Sequence, residues 1–417
     1  MHVSKFTILF QWPFLFVNLV SCAIIMPDGF ALTNSSNVCH DLFNNERLSE
    51  ICRHEKSICG CRLDYINSTS TFAALVTGTA RTFHITYPSL VQHILKPNNN
   101  QLDIIYVLQN FHIIRDLKAL NLALSSGIAV VAHGSEVWES MVNYTQKKHR
   151  MFNNKFLKLD EIQRHHQSGG IIDMWSNLAI GQSISTSIRI QCKKEYILII
   201  KTRPDLVYFS DLNLTRLLSE YKTQNLTVAS LDHHNMESPP NTIQHGGEDI
   251  KVTEDVTMGQ YLYTTEPPLF VPGCVAFGGL TDRLFVGPPV YMDKILNDEV
   301  IKDILSLNYT LQEHIRIGAS EILSPARVWV PGHGLEGVMK SIVLWYHIPV
   351  ATIPVKGDLR FLWGILRPTQ IESYCNGSWT GHWTEMHCLL ISDKANDIQK
   401  TSFESMRQTI VDACKPS

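Results

Sequence analysis

Lys201-Thr202-Arg203-Pro204-Asp205 follows directly on the apolar run Tyr196-Ile197-Leu198-Ile199-Ile200. These are the residue types of a buried strand that ends at a polar site: large apolar side chains, then charge, a helix-breaking proline and a carboxylate. In open α/β sheets, ligands sit just outside the carboxyl ends of such strands. A carboxylate there, Asp205, can hold a divalent cation, Mg2+ or Mn2+, which takes one or two carboxylates together with phosphate oxygens and water. Arg203 can pair with a phosphate, or lock Asp205 in place from behind. The plainer alternative is a structural Arg–Asp pair at a strand end.

Two more segments carry suitable residues. Gly78-Thr79-Ala80-Arg81-Thr82-Phe83 follows the apolar segment Phe72 to Thr77. A glycine at that point lets the backbone approach a ligand, and Arg81 can form paired bonds to a diphosphate; otherwise the segment is an ordinary turn. Thr281-Asp282-Arg283 lies between two apolar segments, with Gly278, Gly279 and Gly287 around it. Asp282 can orient a hydroxyl or serve as its general base, or it sits in a hairpin turn with an exposed ion pair.

Other chemistries lack their residues. Gly78 does not open a Gly-x-Gly-x-x-Gly fingerprint, and the chain has no Gly-Lys-Ser/Thr phosphate loop and no His-Glu-x-x-His. A Gly-x-Ser-x-Gly elbow for a serine or cysteine nucleophile is also missing. The 18 histidines include His233, His234, His245, His333 and His347, any of which can complete a metal site, but each singly suits a surface loop. A formal charge of -3 gives no reason to expect nucleic acid as a partner.

The elements that must hold these residues are legible as apolar runs. Phe72 to Thr77 and Leu102 to Leu108 read as strands, with a helix over Ser89 to Leu95 between them that ends before Pro97. Strand, helix and strand in that order make a parallel pair. Gly127 to Val131 is a third strand, Ile171 to about Lys193 a long amphipathic helix, and Tyr196 to Lys201 a central strand. Leu226 to Ala229 and Arg327 to Val330 read as further strands, and Pro289 to Leu296 leads into a helix. The stretch Asp232 to Thr257, rich in His, Pro, Gly and acids, reads as a long functional loop.

At the amino terminus, Phe6 to Met26 carries no charge. At about 1.5 Å per residue it can span a hydrocarbon core of roughly 30 Å. It is either an uncleaved signal-anchor or a signal peptide cleaved near Val20-Ser21-Cys22-Ala23, and both send the rest of the chain into a secretory lumen. Sequons at Asn34, Asn67, Asn143, Asn213, Asn225, Asn308 and Asn376 agree with that topology. So do the 10 cysteines, among them Cys39, Cys52, Cys59 and Cys61 crowded after the hydrophobic segment and Cys375, Cys388 and Cys414 in the tail, which suit disulfides better than zinc because Cys59-Gly60-Cys61 lacks metal-site spacing. Cys192 and Cys274 either bridge or are buried thiols. The expected organisation is a membrane segment or signal over 1–26, a cysteine-bearing stem over 27–70, an α/β domain over 71–370 and a cysteine-bearing tail over 371–417.

Taken in order, these segments resemble a family. Gly78-x-x-Arg81-x-Phe83, the strand beginning at Asp103, Thr202-Arg203-Pro204-Asp205-Leu206, Gly279-x-x-Asp282-Arg283-Leu284-Phe285-Val286-Gly287 and Ser320-Glu321-Ile322-Leu323 are similar to poorly characterised glycosyltransferase-like proteins of GT-A type. In these, Arg-Pro-Asp-Leu stands where other members carry Asp-x-Asp. The resemblance implies a GT-A-like, Rossmann-like and mostly parallel sheet flanked by helices, and a nucleotide-sugar donor. It further implies a glycan, glycoprotein or glycolipid acceptor, and single-pass type II topology in the Golgi or endoplasmic reticulum, or secretion. By match, Gly78 and Arg81 lie near the nucleotide, Asp205 at the metal or the diphosphate, and Asp282 near the acceptor; Arg203, from its place before Asp205, joins Gly78 and Arg81 as a candidate for binding the donor. Leu206-Val207 follows Asp205, so one carboxylate stands where two are often found. A non-catalytic glycan-binding or structural glycoprotein of the same fold is the alternative.

Overall fold

The computed structural model describes residues 30–32, 41–43, 46–55, 57–62, 70–99, 101–134, 168–224, 266–272, 283–297, 300, 339, 342–343, 346, 348–353, 363–377, 386–387, 410–411 and 414. In chain order these form β1 (Phe30–Leu32), α1 (Glu46–Arg53), β2 (Ile58–Arg62), β3 (Phe72–Thr79), α2 (Phe83–Leu90), β4 (Leu102–Gln109), α3 (Ile113–Ser126) and β5 (Ala129–Ala132). There follow α4 (Ser168–Gln191), β6 (Leu198–Thr202), β7 (Leu206–Tyr208), α5 (Leu214–Gln224), β8 (Leu269–Val271), β9 (Phe285–Gly287) and α6 (Pro289–Ile295). The last are β10 (Val350–Thr352), β11 (Trp363–Ile365), α7 (Pro368–Cys375) and β12 (Met386–His387).

The chain is α/β, with a large mixed sheet flanked by helices. Among the described residues its 9 strands run in the order β1-β2-β5-β4-β3-β6-β9-β8-β10. The centre β5-β4-β3-β6 is parallel throughout, while β9 is antiparallel to both β6 and β8. Counting from β3, the four parallel strands are ordered 3-2-1-4, the doubly wound arrangement whose direction of winding switches between β3 and β6. Their residues are mostly apolar and buried on both sides, as suits parallel strands covered by helices, with Asp103, Lys201 and Thr202 as buried polar exceptions. Ala73, Leu75, Ile105 and Val107 face α4, where Trp175, Leu178 and Ile184 meet them. Ala74, Val76, Ile104 and Tyr106 face α2 and α3, against Phe83, Leu90 and Leu120.

Several sequence expectations shift here. The segment expected as a stem supplies β1 and β2 to one side of the main sheet, where Cys59 and Cys61 of β2 pair with Val131 and Ala129, and α1 adds Leu48 and Ile51 to the core. Cys52–Cys59 closes it, and Cys375–Cys414 ties the tail to α7. Cys192 is a free thiol, pushed up by burial. The helix expected over Ser89 to Leu95 starts earlier, at Phe83, holds Pro88 inside it and loosens into a π turn over Val91–Leu95. Most of α4 from Trp175 onward is buried or half-buried rather than two-faced, because sheet and flanking segments cover it together. Of the sequon asparagines, Asn213 is engaged at both ends of its amide, by Pro97 O at 2.6 Å and Arg216 N–H at 2.8 Å. Asn376 is exposed at the end of α7.

The hydrophobic segment Phe6 to Met26, the strands expected at 226–229 and 327–330 and the loop 232–257 lie outside the described residues. Among the described residues no helix is long and apolar enough to cross a membrane.

Candidate functional site

Strand β3 ends in a break that only glycine accommodates. Gly78 has φ +142°, and a Cβ there would stand 3.1 Å from Pro204 Cδ. The chain then turns through a 3-10 segment, Ala80–Thr82, that projects Arg81 and leads straight into α2. Strand β6 ends one position to the side, at Thr202. Pro204 and Asp205 turn the chain out of the main sheet, and β7 joins a second sheet with β11 and β12. So the first and second candidate segments meet at the carboxyl ends of β3 and β6, where the winding switches.

The packing fixes the turn from three sides. Thr86 Oγ1 on α2 donates to Pro204 O, and Leu366 N–H donates to Asp205 O at 2.9 Å. Leu366 O accepts in turn from Thr82 Oγ1 at 3.0 Å. Replacing Gly78 by Ala combines a strained positive φ with this close approach. It is expected to cost about 1–3 kcal/mol and to weaken ligand binding by shifting Pro204; denaturation midpoints of the two proteins measure the first effect.

Asp205 is 1% exposed. Its Oδ1 accepts from Arg203 Nε at 2.9 Å and its Oδ2 from Arg203 Nη2 at 2.7 Å, a paired fork. Arg81 Nη2 stands 3.8 Å from the same Oδ2. Burial alone would raise the Asp205 carboxyl, but the charge and hydrogen bonds of Arg203, then the charges of Arg367 and Arg81, hold it below the usual carboxylate range. Arg81 is pulled down chiefly by burial; Asp205 opposes this, while Arg367, Arg203 and Arg115 add to it. A guanidinium remains charged under such pressure. Arg115 is itself paired with Asp116 at 2.6–2.8 Å.

This chain matches no family model, no curated protein and no solved structure. The site is then defined by its own charges and its place in the sheet. Among the described residues it gathers Arg81, Arg203, Arg367 and Arg115 against Asp205 and Asp116, an excess of positive charge at a sheet mouth. That balance suits an anion such as a phosphate.

Gly78, Arg81, Arg203 and Asp205 are thus brought together. Asp282 and Glu321 lie outside the described residues, as do His233, His234, His245, His333 and His347. Arg367 escaped the sequence reading, although Ile365-Leu366-Arg367-Pro368 repeats the strand–Arg–Pro order of Lys201-Thr202-Arg203-Pro204. Also missed is a buried polar chain under the same edge. His133, just past β5, meets Asn177 Oδ1 on α4 through Nε2 at 2.7 Å. Asn177 Nδ2 donates to Gln109 Oε1 at the end of β4, and Gln109 Nε2 donates to Thr79 Oγ1 at 3.4 Å. It links the ends of three neighbouring strands and stiffens the floor of the crevice.

Proposed function

We propose that this protein is a lumenal glycosyltransferase of GT-A-like fold, moving a sugar from a nucleotide-sugar donor to a hydroxyl of a glycan, glycoprotein or glycolipid. The observation that carries the reading is the meeting of Gly78-Arg81 with Arg203-Asp205 at the β3/β6 switch point, with guanidinium groups in excess. That is where a doubly wound sheet takes a nucleotide and where a diphosphate finds its counter-charge. Strand order supports it too: counted from β3, the run β5-β4-β3-β6-β9-β8-β10 is 3-2-1-4-6-5-7 with the sixth strand reversed.

In the reaction the bond from the sugar's anomeric carbon to the diphosphate oxygen breaks, and its electron pair stays on that oxygen. A new bond forms from the acceptor oxygen, whose proton passes to a base; Asp282, which the resemblance sets near the acceptor, has the chemistry for that role. The described groups act on the leaving side: Arg81 and Arg203 offset the charge that builds on the diphosphate.

The resemblance also implies a divalent cation, Mn2+ or Mg2+, at Asp205. Both oxygens of Asp205 are already bonded to Arg203, and among the described residues no group of three His, Cys, Asp or Glu could hold a metal. The described residues do not fit the ion. The same occupied carboxylate favours the competing reading, a glycan-binding or structural glycoprotein of this fold without turnover.

A thermal-unfolding panel of UDP- and GDP-sugars on the full chain, with and without Mn2+, separates them. Ligand at a hundred times Kd stabilises by about 2.7 kcal/mol, a shift of several degrees, and a true donor is also slowly hydrolysed. If no sugar nucleotide moves the midpoint or is turned over, the enzyme reading fails. Amino-terminal sequencing of the expressed protein tests the type II anchor; a start near Ala23 rules it out.

A further inference from the structure

Asp205 is placed as a counter-ion for arginine. Its two oxygens face one guanidinium in a paired fork, a second guanidinium stands 3.8 Å away, and Arg367 adds its charge from the turn before α7. A divalent cation entering here would have to take the carboxylate from Arg203 and then sit beside like charges. Even at an effective dielectric of about 20, such charges about 4 Å apart repel by several kcal/mol. A phosphate meets the opposite balance.

Arg81 gives the more direct sign. Its Nε is buried with no hydrogen-bond partner, yet the side chain is 33% exposed and so open to a ligand. Its separation from Asp205 is beyond hydrogen-bond reach. Three other arginines, Arg367, Arg203 and Arg115, act on it unfavourably. A cation held so among cations, next to a strand end that glycine keeps clear, is arranged for an anion. Arg203 is the supporting member, fixed in orientation by Asp205 and by the turn that Thr86 and Leu366 hold.

We propose that the site takes the diphosphate of a nucleoside diphosphate directly on guanidinium groups, with Arg81 as the principal contact, and needs no divalent cation at Asp205. This rests on the donor reading above. It assigns Asp205 to positioning Arg203, and leaves the charge on the departing diphosphate to donors already in place.

The test is thermal unfolding of the full chain in EDTA and in Mn2+, with UDP, GDP, pyrophosphate and orthophosphate at equal concentration. A nucleoside diphosphate is expected to raise the midpoint equally in EDTA and Mn2+. Arg81→Gln should weaken that binding at least about tenfold, in line with loss of a charged hydrogen bond. Arg81→Lys, which keeps the charge without the fork, should recover part of it. The unliganded midpoint of each variant reports whether it folds. A shift seen only with Mn2+ overturns the direct contact while the donor reading stands. No shift by UDP or GDP under either condition overturns both. An equal shift by orthophosphate marks a generic anion site and overturns the diphosphate assignment, as does unchanged UDP or GDP affinity in folded Arg81→Gln.

Discussion

Asp205→Asn is expected to lower stability by about 3–5 kcal/mol, the usual cost of removing one partner from a buried ion pair. The side chain keeps its shape but loses the charge that Arg203, Arg367 and Arg81 converge on. Its amide nitrogen must also face one of the two Arg203 donors that now meet carboxylate oxygens. The effect has a pH signature whose sign is set by the depressed carboxyl. The unfolded carboxyl titrates near 3.9 and the folded one lower, so the stabilisation is complete above about pH 4 and is lost as pH falls through the folded value. Urea denaturation of wild type and variant from pH 7 to pH 2 should therefore show a gap that closes in acid. A gap that stays constant down to pH 2 would mean that Asp205 is not held as a charged partner. Binding should fall as well, since Arg203 loses the group that orients it.

That site was legible in the sequence where charge follows an apolar strand. The apolar run Tyr196 to Ile200 read as a buried strand, with the charge, proline and carboxylate after it at an end of the sheet; the strand itself begins at Leu198 and runs to Thr202, leaving Ile197 exposed before it. The same logic found Arg81 after Phe72 to Thr77. Leu102 to Leu108 and Gly127 to Val131 completed the parallel centre, because strands covered on both faces are continuous apolar runs. Arg367 follows β11, a strand of a second sheet far along the chain, and linear spacing carries no sign that Leu366 would bond to Asp205 and Thr82. His133 and Gln109 were hidden for a related reason. Each is a single polar residue at a strand end, and only the docking of α4 supplies Asn177 between them. The helix expected over Ser89 to Leu95 instead begins at Phe83, and Pro88 lies inside it. The cysteines of 27–70 suggested a separate module, but a disulfide-closed strand can equally pair with a sheet edge, as β2 does with β5.

Asp103→Asn should destabilise the protein by a comparable 3–5 kcal/mol or so while leaving ligand affinity of the folded protein unchanged. Asp103 is 0% exposed at the start of β4, the opposite end of the sheet from Arg81. It accepts from Lys194 Nζ, from Tyr196 OH at 2.8 Å and from Ser70 Oγ at 2.7 Å. These bonds tie the turn between α4 and β6, where Lys193 has φ 52°, to the entry of β4. A neutral amide cannot balance a lysine whose side chain is 5% exposed, so the variant keeps a desolvated charge without its counter-charge. Replacing both members, Asp103→Leu with Lys194→Met, removes that charge and should recover much of the loss, since well-packed apolar pairs often substitute for buried ion pairs. Equilibrium denaturation of the two singles and the double closes the cycle. A double variant no more stable than Asp103→Asn would show that the hydrogen bonds to Tyr196 and Ser70, rather than the ion pair, hold this end of the sheet. Altered nucleoside diphosphate affinity in folded Asp103→Asn would show that the two ends are coupled through β4. The separation expected here follows from the fold itself: in a doubly wound sheet, one end of the strands carries stability and the other carries the ligand.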